Sequence, residues 1–272
     1  MNFAHHLRNV QESHSSLLCI GLDTDRSKLP ASLRSEPDPV FAFNRQIIDA
    51  TSDIVCAYKL NLAFYEALGE RGGETLRRTL AQIPEGIITI GDAKRGDIGN
   101  TAALYATALF DVFGFGACTV NPYMGGDSVE PFCRNPERGV FLLAVTSNPG
   151  ARDFQHLRVR GTPLYEHVVR KARSWNEHGN IGLVVGATRP RQLRRVREIV
   201  PHMPLLIPGI GAQGGDLKQA VRYGCDRDGF LAVINASRSV IYASAGEDFA
   251  DAARSAALSL RDEINLYRRP SS

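Results

Sequence analysis

Gly86-Ile87-Ile88-Thr89-Ile90-Gly91-Asp92-Ala93-Lys94 is a nearly unbroken apolar run that closes on two charges, and Asp97–Phe110 behind it carries Ile98, Ala102, Tyr105 and Leu109 at helical spacing. A continuous apolar run predicts a strand covered on both faces, and the 3.6-residue period predicts an amphipathic helix packed beside it. The same unit recurs along the chain. The other runs are Leu17–Asp23, Ile54–Asn61, Ala117–Tyr123, Val140–Ser147, Ile181–Thr188, Leu205–Gly211 and Phe230–Ser237, which makes eight. Asp38–Thr51, Thr162–Asn176 and Asp248–Tyr267 have helical periods of the same kind. Repeated strand–helix units imply a parallel sheet with right-handed crossovers. Eight of them favour a closed (β/α)8 TIM barrel of the α/β class over an open doubly wound sheet.

The chain has 272 residues and no low-complexity linker, so residues 1–272 are expected to form a single domain. Phe3–Ser13 predicts a helix closing the bottom of the barrel, and the tail Arg268–Ser272 is expected to fray. Asn148–Gly161 is the longest irregular stretch and follows the fifth run, where a long loop is often a functional lid.

Composition narrows the function classes. The net charge of +3, from 32 basic and 29 acidic residues, is too small to argue for nucleic acid. The densest basic run, Arg189–Arg197, continues into Ile199 and Val200 and reads as a solvated helix over a core. Cys19, Cys56, Cys118, Cys133 and Cys225 show no Cys-x-x-Cys spacing, and Cys19, Cys56 and Cys118 sit in apolar runs that read as buried free thiols, a pattern that fits a reducing cytosol. Met1 to Arg8 has no long apolar region, so no signal peptide is expected, and no stretch is long enough to cross a bilayer. The expected location is cytoplasmic, with no membrane partner.

In a barrel enzyme the chemistry sits at the C-terminal ends of the strands. Here those ends carry Asp23; Lys59 and Asn61; Asp92 and Lys94; Thr146 and Ser147; Pro208-Gly209-Ile210-Gly211; and Asn235, Ser237 and Arg238. Charges that close apolar strands are costly unless paired or working. Asp92 and Lys94 are two apart, so a strand projects them to one side. An ion pair there and a helix cap at Asp97 would explain the same residues. Asp97 and Thr101 are four apart at the start of the next helix and share a face, pointing either beside their own strand or at a partner subunit. Gly209-Ile210-Gly211-Ala212-Gln213-Gly214 matches a dinucleotide pattern formally, but it sits in the seventh unit rather than a leading one. Glycine amides approaching a phosphate suit it better than a plain turn, with Arg238 supplying a charged fork.

Together these residues resemble the orotidine 5′-phosphate decarboxylase family, in order and over most of the chain. Gly21-Leu22-Asp23, Tyr58-Lys59-Leu60-Asn61 and the Asp-x-Lys-x-x-Asp-x-x-x-Thr signature from Asp92 to Thr101 are similar to the family's first three strand ends. Thr146–Ala151 resembles the substrate-gripping loop, Pro208–Asp216 the phosphate loop and Ser237–Tyr242 the last phosphate contact. Two features depart from many relatives: Ser237 stands where they have a Gly, and the Asp25–Pro39 connection is extended, as in the longer bacterial branch.

The resemblance implies conversion of orotidine 5′-phosphate to UMP and CO2 in pyrimidine biosynthesis, without a metal or organic cofactor. Lys94 would face the carbon that loses CO2 and donate the proton, with Asp92 beside the departing carboxylate. Lys59 and Asp23 would hold the ribose, Ser147 the pyrimidine edge, and Gln213 and Arg238 the phosphate. Asp97 and Thr101 would come from the second subunit of a homodimer with shared active sites. Three alternatives stand beside it: a Mg²⁺-dependent phosphosugar decarboxylase or synthase on the same barrel, a Schiff-base aldolase working through Lys59 or Lys94, and a non-catalytic phosphate-binding barrel that would need Arg238 and the glycine loop but not the Asp92/Lys94 pair.

Overall fold

The computed structural model describes residues 1–211 and 215–268. Its strands are β1 (Leu18–Gly21), β2 (Ala57–Asn61), β3 (Ile88–Arg95), β4 (Ala117–Val120), β5 (Gly139–Val145), β6 (Ile181–Val185), β7 (Leu205–Pro208) and β8 (Ala232–Ala236). They close into a barrel in the order β1-β8-β7-β6-β5-β4-β3-β2, and every neighbouring pair is parallel. Each strand coincides with one of the eight apolar runs, with β3 and β5 overrunning theirs by one residue each, at Arg95 and Gly139.

The runs look continuous because both faces of each strand are covered. Outward residues such as Leu18, Ile20, Tyr58, Leu60 and Leu183 pack against the helical ring. Inward residues Cys19, Ala57, Ile90, Ala117, Phe141, Val184, Leu206 and Val233 fill the barrel itself. The helix Phe3–Ser13 plugs the bottom as expected: Phe3, Leu7 and Val10 join that interior cluster. Phe3 meets Phe141 edge-on at 5.8 Å, and Gln11 exchanges hydrogen bonds with the backbone of Leu231 and Ala232.

All five cysteines are buried and free. Burial pushes their thiols up, to about 12 for Cys56, so they are inert at neutral pH.

Three expectations change. The basic run forms the helix Pro190–Ile199 over buried Leu193 and Val196, but Arg197 is not a solvated charge. Its guanidinium turns inward and donates to the carbonyls of Val200, Met203 and Gly224. The stretch Asn148–Gly161 is also less irregular than its composition suggests. It contains the short helix Ala151–Phe154 and one arm of a two-residue hairpin, Arg158–Val159 against Thr162–Pro163. Finally, the helix expected from Asp97 begins at Gly99 and runs to Thr107. The tail beyond Arg268 lies outside the described residues.

Candidate active site

The inward period of two that fills the barrel with apolar side chains turns polar at its C-terminal end. Lys59 stands two residues above Ala57, Asp92 above Ile90, Thr119 above Ala117 and Asn235 above Val233, all buried. They open into a cleft of about 410 Å³ that Asp23, Lys94, Ser237 and Arg238 also line.

At its floor the charges alternate. Lys59 Nζ lies 3.1 Å from Asp23 Oδ1 and 3.1 Å from Asp92 Oδ2, while Lys94 Nζ lies 2.6 Å from Asp92 Oδ1. Burial would raise the Asp92 carboxyl, but the ammoniums of Lys59 and Lys94 outweigh it and hold it at about 2. Burial likewise works against the charge on Lys59, and Asp23 and Asp92 overcome it, pushing that ammonium above its usual range. Of the four side chains Lys94 is the most exposed, at 47%, against 5% for Lys59 and 10% for Asp92. The row of charges therefore ends in a cation that faces the cleft.

Asp92 and Lys94 meet as their spacing suggests, though not through a regular strand. The β3–β4 ladder pairs Gly91 with Cys118 and then Arg95 with Val120, so the intervening residues bulge. Lys94 has a φ of +49°, the left-handed region.

Asp23 has a second anchor. The Ser237 hydroxyl donates to its Oδ2 at 2.8 Å. Gly21 makes room for this: a Cβ there would sit 1.9 Å from Ser237 Oγ. Ser237, the departure from the family pattern, thus has a partner in the charge row.

Ser147 lines an adjoining cavity of about 440 Å³ that shares Lys94, Val184 and Pro208 with the first. Gln155 braces the loop, accepting from the Thr146 amide at 2.9 Å and donating to the Thr146 hydroxyl at 2.8 Å. In the loop after β7, Gly209 and Gly211 take φ values of +100° and +75°, and the Gly215 amide closes the loop onto the Gly209 carbonyl. Exposed Arg238 opens the four-residue helix Arg238–Ile241 beside it. Gln213 lies outside the described residues.

Asp97 and Thr101 do not line either cavity. Gly99, at φ +50°, delays the helix, and Asp97 accepts from the adjacent Ile98 amide instead of capping it. The shared-face argument for the pair therefore does not hold, since Asp97 precedes the helix.

Sequence reasoning passed over Thr119 and Gln155, and took Tyr242 only as the end of the Ser237–Tyr242 stretch; its hydroxyl accepts from the Asp25 amide at 2.7 Å on the cleft rim. Thr119 was detectable as the polar residue in register with inward Ala117; Gln155 gave no such signal. Among the described residues, no group of three or more His, Cys, Asp or Glu is placed to hold a metal ion.

Residues 16–254 match the model of the orotidine 5′-phosphate decarboxylase / HUMPS family. The chain belongs to that family. A family protein of Dehalococcoides mccartyi named orotidine 5′-phosphate decarboxylase is 49% identical over 273 residues, covering 99% of each chain. Among solved structures, the OMP decarboxylase of Leishmania donovani superposes with a TM-score of 0.86 at 39% identity, covering 98% of this chain and 99% of that one. The UMP synthase of the same organism gives 0.87 at 42% identity, with this chain spanning 98% of its own length and 57% of the longer protein.

Proposed function

We propose that this chain, acting as a single domain, decarboxylates orotidine 5′-phosphate to UMP and CO2, with Lys94 as the proton donor. The observation that carries the reading is the row Asp23–Lys59–Asp92–Lys94, in which buried Asp92 orients a cleft-facing ammonium. As the bond between the ring carbon and the carboxylate breaks, its electron pair stays on the carbon. The Lys94 ammonium stabilises that charge and passes one of its protons to the carbon, and solvent then reprotonates the amine. Asp92 accepts from Lys94 Nζ at 2.6 Å and so orients it, and its own carboxylate lies on the side from which CO2 departs. No metal or organic cofactor enters this scheme.

Asp23 and Lys59 are assigned to the ribose, Ser147 to the pyrimidine edge, and Arg238 with Gln213 to the phosphate. Holding the remote phosphate contributes to positioning at the reacting carbon. Asp97 and Thr101 are assigned to the site of a second subunit in a homodimer. Their absence from their own cleft supports this, as do the exposed apolar side chains Ile98, Leu104 and Val112 on the same βα unit and Tyr123 and Met124 on the next. The described helices include none long and apolar enough to cross a membrane, in keeping with a cytoplasmic enzyme. A Schiff-base role for Lys59 is disfavoured, because such a nucleophile needs a lowered pKa and Lys59 is pushed the other way.

The test compares the wild-type chain and Lys94→Ala for OMP turnover in EDTA and for UMP binding. The expected result is EDTA-resistant turnover by the wild type, lost in Lys94→Ala with UMP binding retained. Turnover abolished by EDTA and restored by Mg²⁺ would point to the phosphosugar-type chemistry, and UMP binding by a wild type without turnover to a binding barrel.

A further inference from the structure

Thr119 sits on β4, directly behind the reacting pair, and is 1% exposed. Its hydroxyl does two things at once. It donates to Asp92 Oδ1 at 2.9 Å and accepts from the Lys94 backbone amide at 2.9 Å. Both contacts fall where β3 leaves its ladder, between the Gly91–Cys118 and Arg95–Val120 pairs. Lys94 falls in that gap of the register, and its φ of +49° is one that residues other than glycine rarely hold without support.

We propose that Thr119 is a positioning residue for the decarboxylation step: its hydroxyl fixes the Asp92 carboxylate and the Lys94 backbone to each other, and so sets where the Lys94 ammonium points. This rests on the functional reading above. Asp92 Oδ2 is held by Lys59, and Oδ1 by Lys94 Nζ and Thr119 Oγ1 together, so the carboxylate cannot turn about its own axis without losing a partner. A hydroxyl oxygen can accept from the amide and donate to the carboxylate at one atom, which neither a methyl nor a hydrogen in its place can do. The β-branched threonine is also stiff at χ1, which keeps the oxygen on target inside the barrel. Removing the oxygen leaves the Lys94 amide unpaired and frees Asp92 to rotate, displacing the ammonium from the carbon it must protonate. Nucleotide affinity, assigned to ribose and phosphate contacts elsewhere in the cleft, should hardly change.

The experiment measures kcat, KM and UMP affinity for wild type, Thr119→Val, Thr119→Ser and Thr119→Ala, with thermal melts alongside. Thr119→Val keeps the volume and loses the oxygen; Ser and Ala differ from each other only by the oxygen, so they serve if Val does not fold. The expected result is a kcat about 10- to 100-fold lower in Val and Ala, the scale of a misplaced catalytic group. Ser should stay near wild type, and UMP affinity should be unchanged throughout. Equal kcat in Ser and Ala would overturn the proposal, as would a Val variant as active as wild type, because the oxygen would then be irrelevant. Loss confined to KM or UMP binding would overturn it too. Absence of OMP turnover by the wild type would instead sink the functional reading, so the two failures are distinguishable.

Discussion

Replacing Lys59 by Met removes the cation that bridges Asp23 and Asp92 while keeping an unbranched chain of similar length. Two contacts of 3.1 Å are lost. At an effective dielectric constant of about 20, each is worth about 5 kcal/mol of attraction. Much of that only offsets the lost hydration of a side chain that is 5% exposed, so the net destabilisation is about 3–5 kcal/mol. The loss is also pH-dependent. Asp92 is held at about 2 in the folded chain, below the value of about 4 for an unfolded carboxylate. A depressed carboxylate stabilises the fold above its unfolded pKa, and that contribution disappears as pH falls through the folded value. In Lys59→Met burial acts against the Asp92 carboxylate with one ammonium fewer, so the variant's deficit should be full near pH 7 and shrink from about pH 4 downward. Urea unfolding followed by circular dichroism at neutral and acid pH measures this. A deficit below about 1 kcal/mol, the range of an exposed pair, or one that stays constant with pH, would refute the reasoning.

Three further outcomes are expected. Gly21→Ala puts a Cβ 1.9 Å from Ser237 Oγ and 3.1 Å from Asp23 Oδ2, so it should displace the Ser237–Asp23 bond and lower kcat/KM, with an overpacking cost of about 1–3 kcal/mol in urea unfolding. Gly186→Ala puts a Cβ 2.3 Å from Ser147 Oγ. Steady-state kinetics should show KM for OMP raised about tenfold, equivalent to about 1.4 kcal/mol of binding. Asp97→Ala should melt like the wild type yet be inactive, and mixing it with inactive Lys94→Ala chains should restore activity, because one hybrid site carries neither lesion. No recovery in verified mixed dimers would count against shared sites.

The barrel was legible because parallel strands covered on both faces leave an unmistakable apolar signature, and eight such runs allow few closures. Strand ends were legible for the same reason: Asp23, Lys59, Asp92 and Lys94 stand out where charge interrupts an apolar run. Local backbone geometry was not. The delayed helix start after Asp97 depends on the left-handed Gly99, and the bulge at Lys94 on a hydroxyl from the neighbouring strand; neither has a period to read. Partners distant in sequence were hidden as well. Ser237 looked like a departure until Asp23 was found beside it, and Gln155 gave no hint that it braces the Ser147 loop. Arg197 misled because a charge in a basic run looks solvated until the carbonyls around it are known.

By the proposed function, the cleft-facing end of the charge row removes CO2 from a nucleotide. Release of labelled CO2 from carboxyl-labelled orotidine 5′-phosphate, by the purified wild-type chain and by Lys94→Ala, tests it most directly. Rapid release by the wild type and none above background by Lys94→Ala, with UMP bound equally by both, is the predicted result. Release by Lys94→Ala at the wild-type rate, or none by a folded wild type, would contradict it.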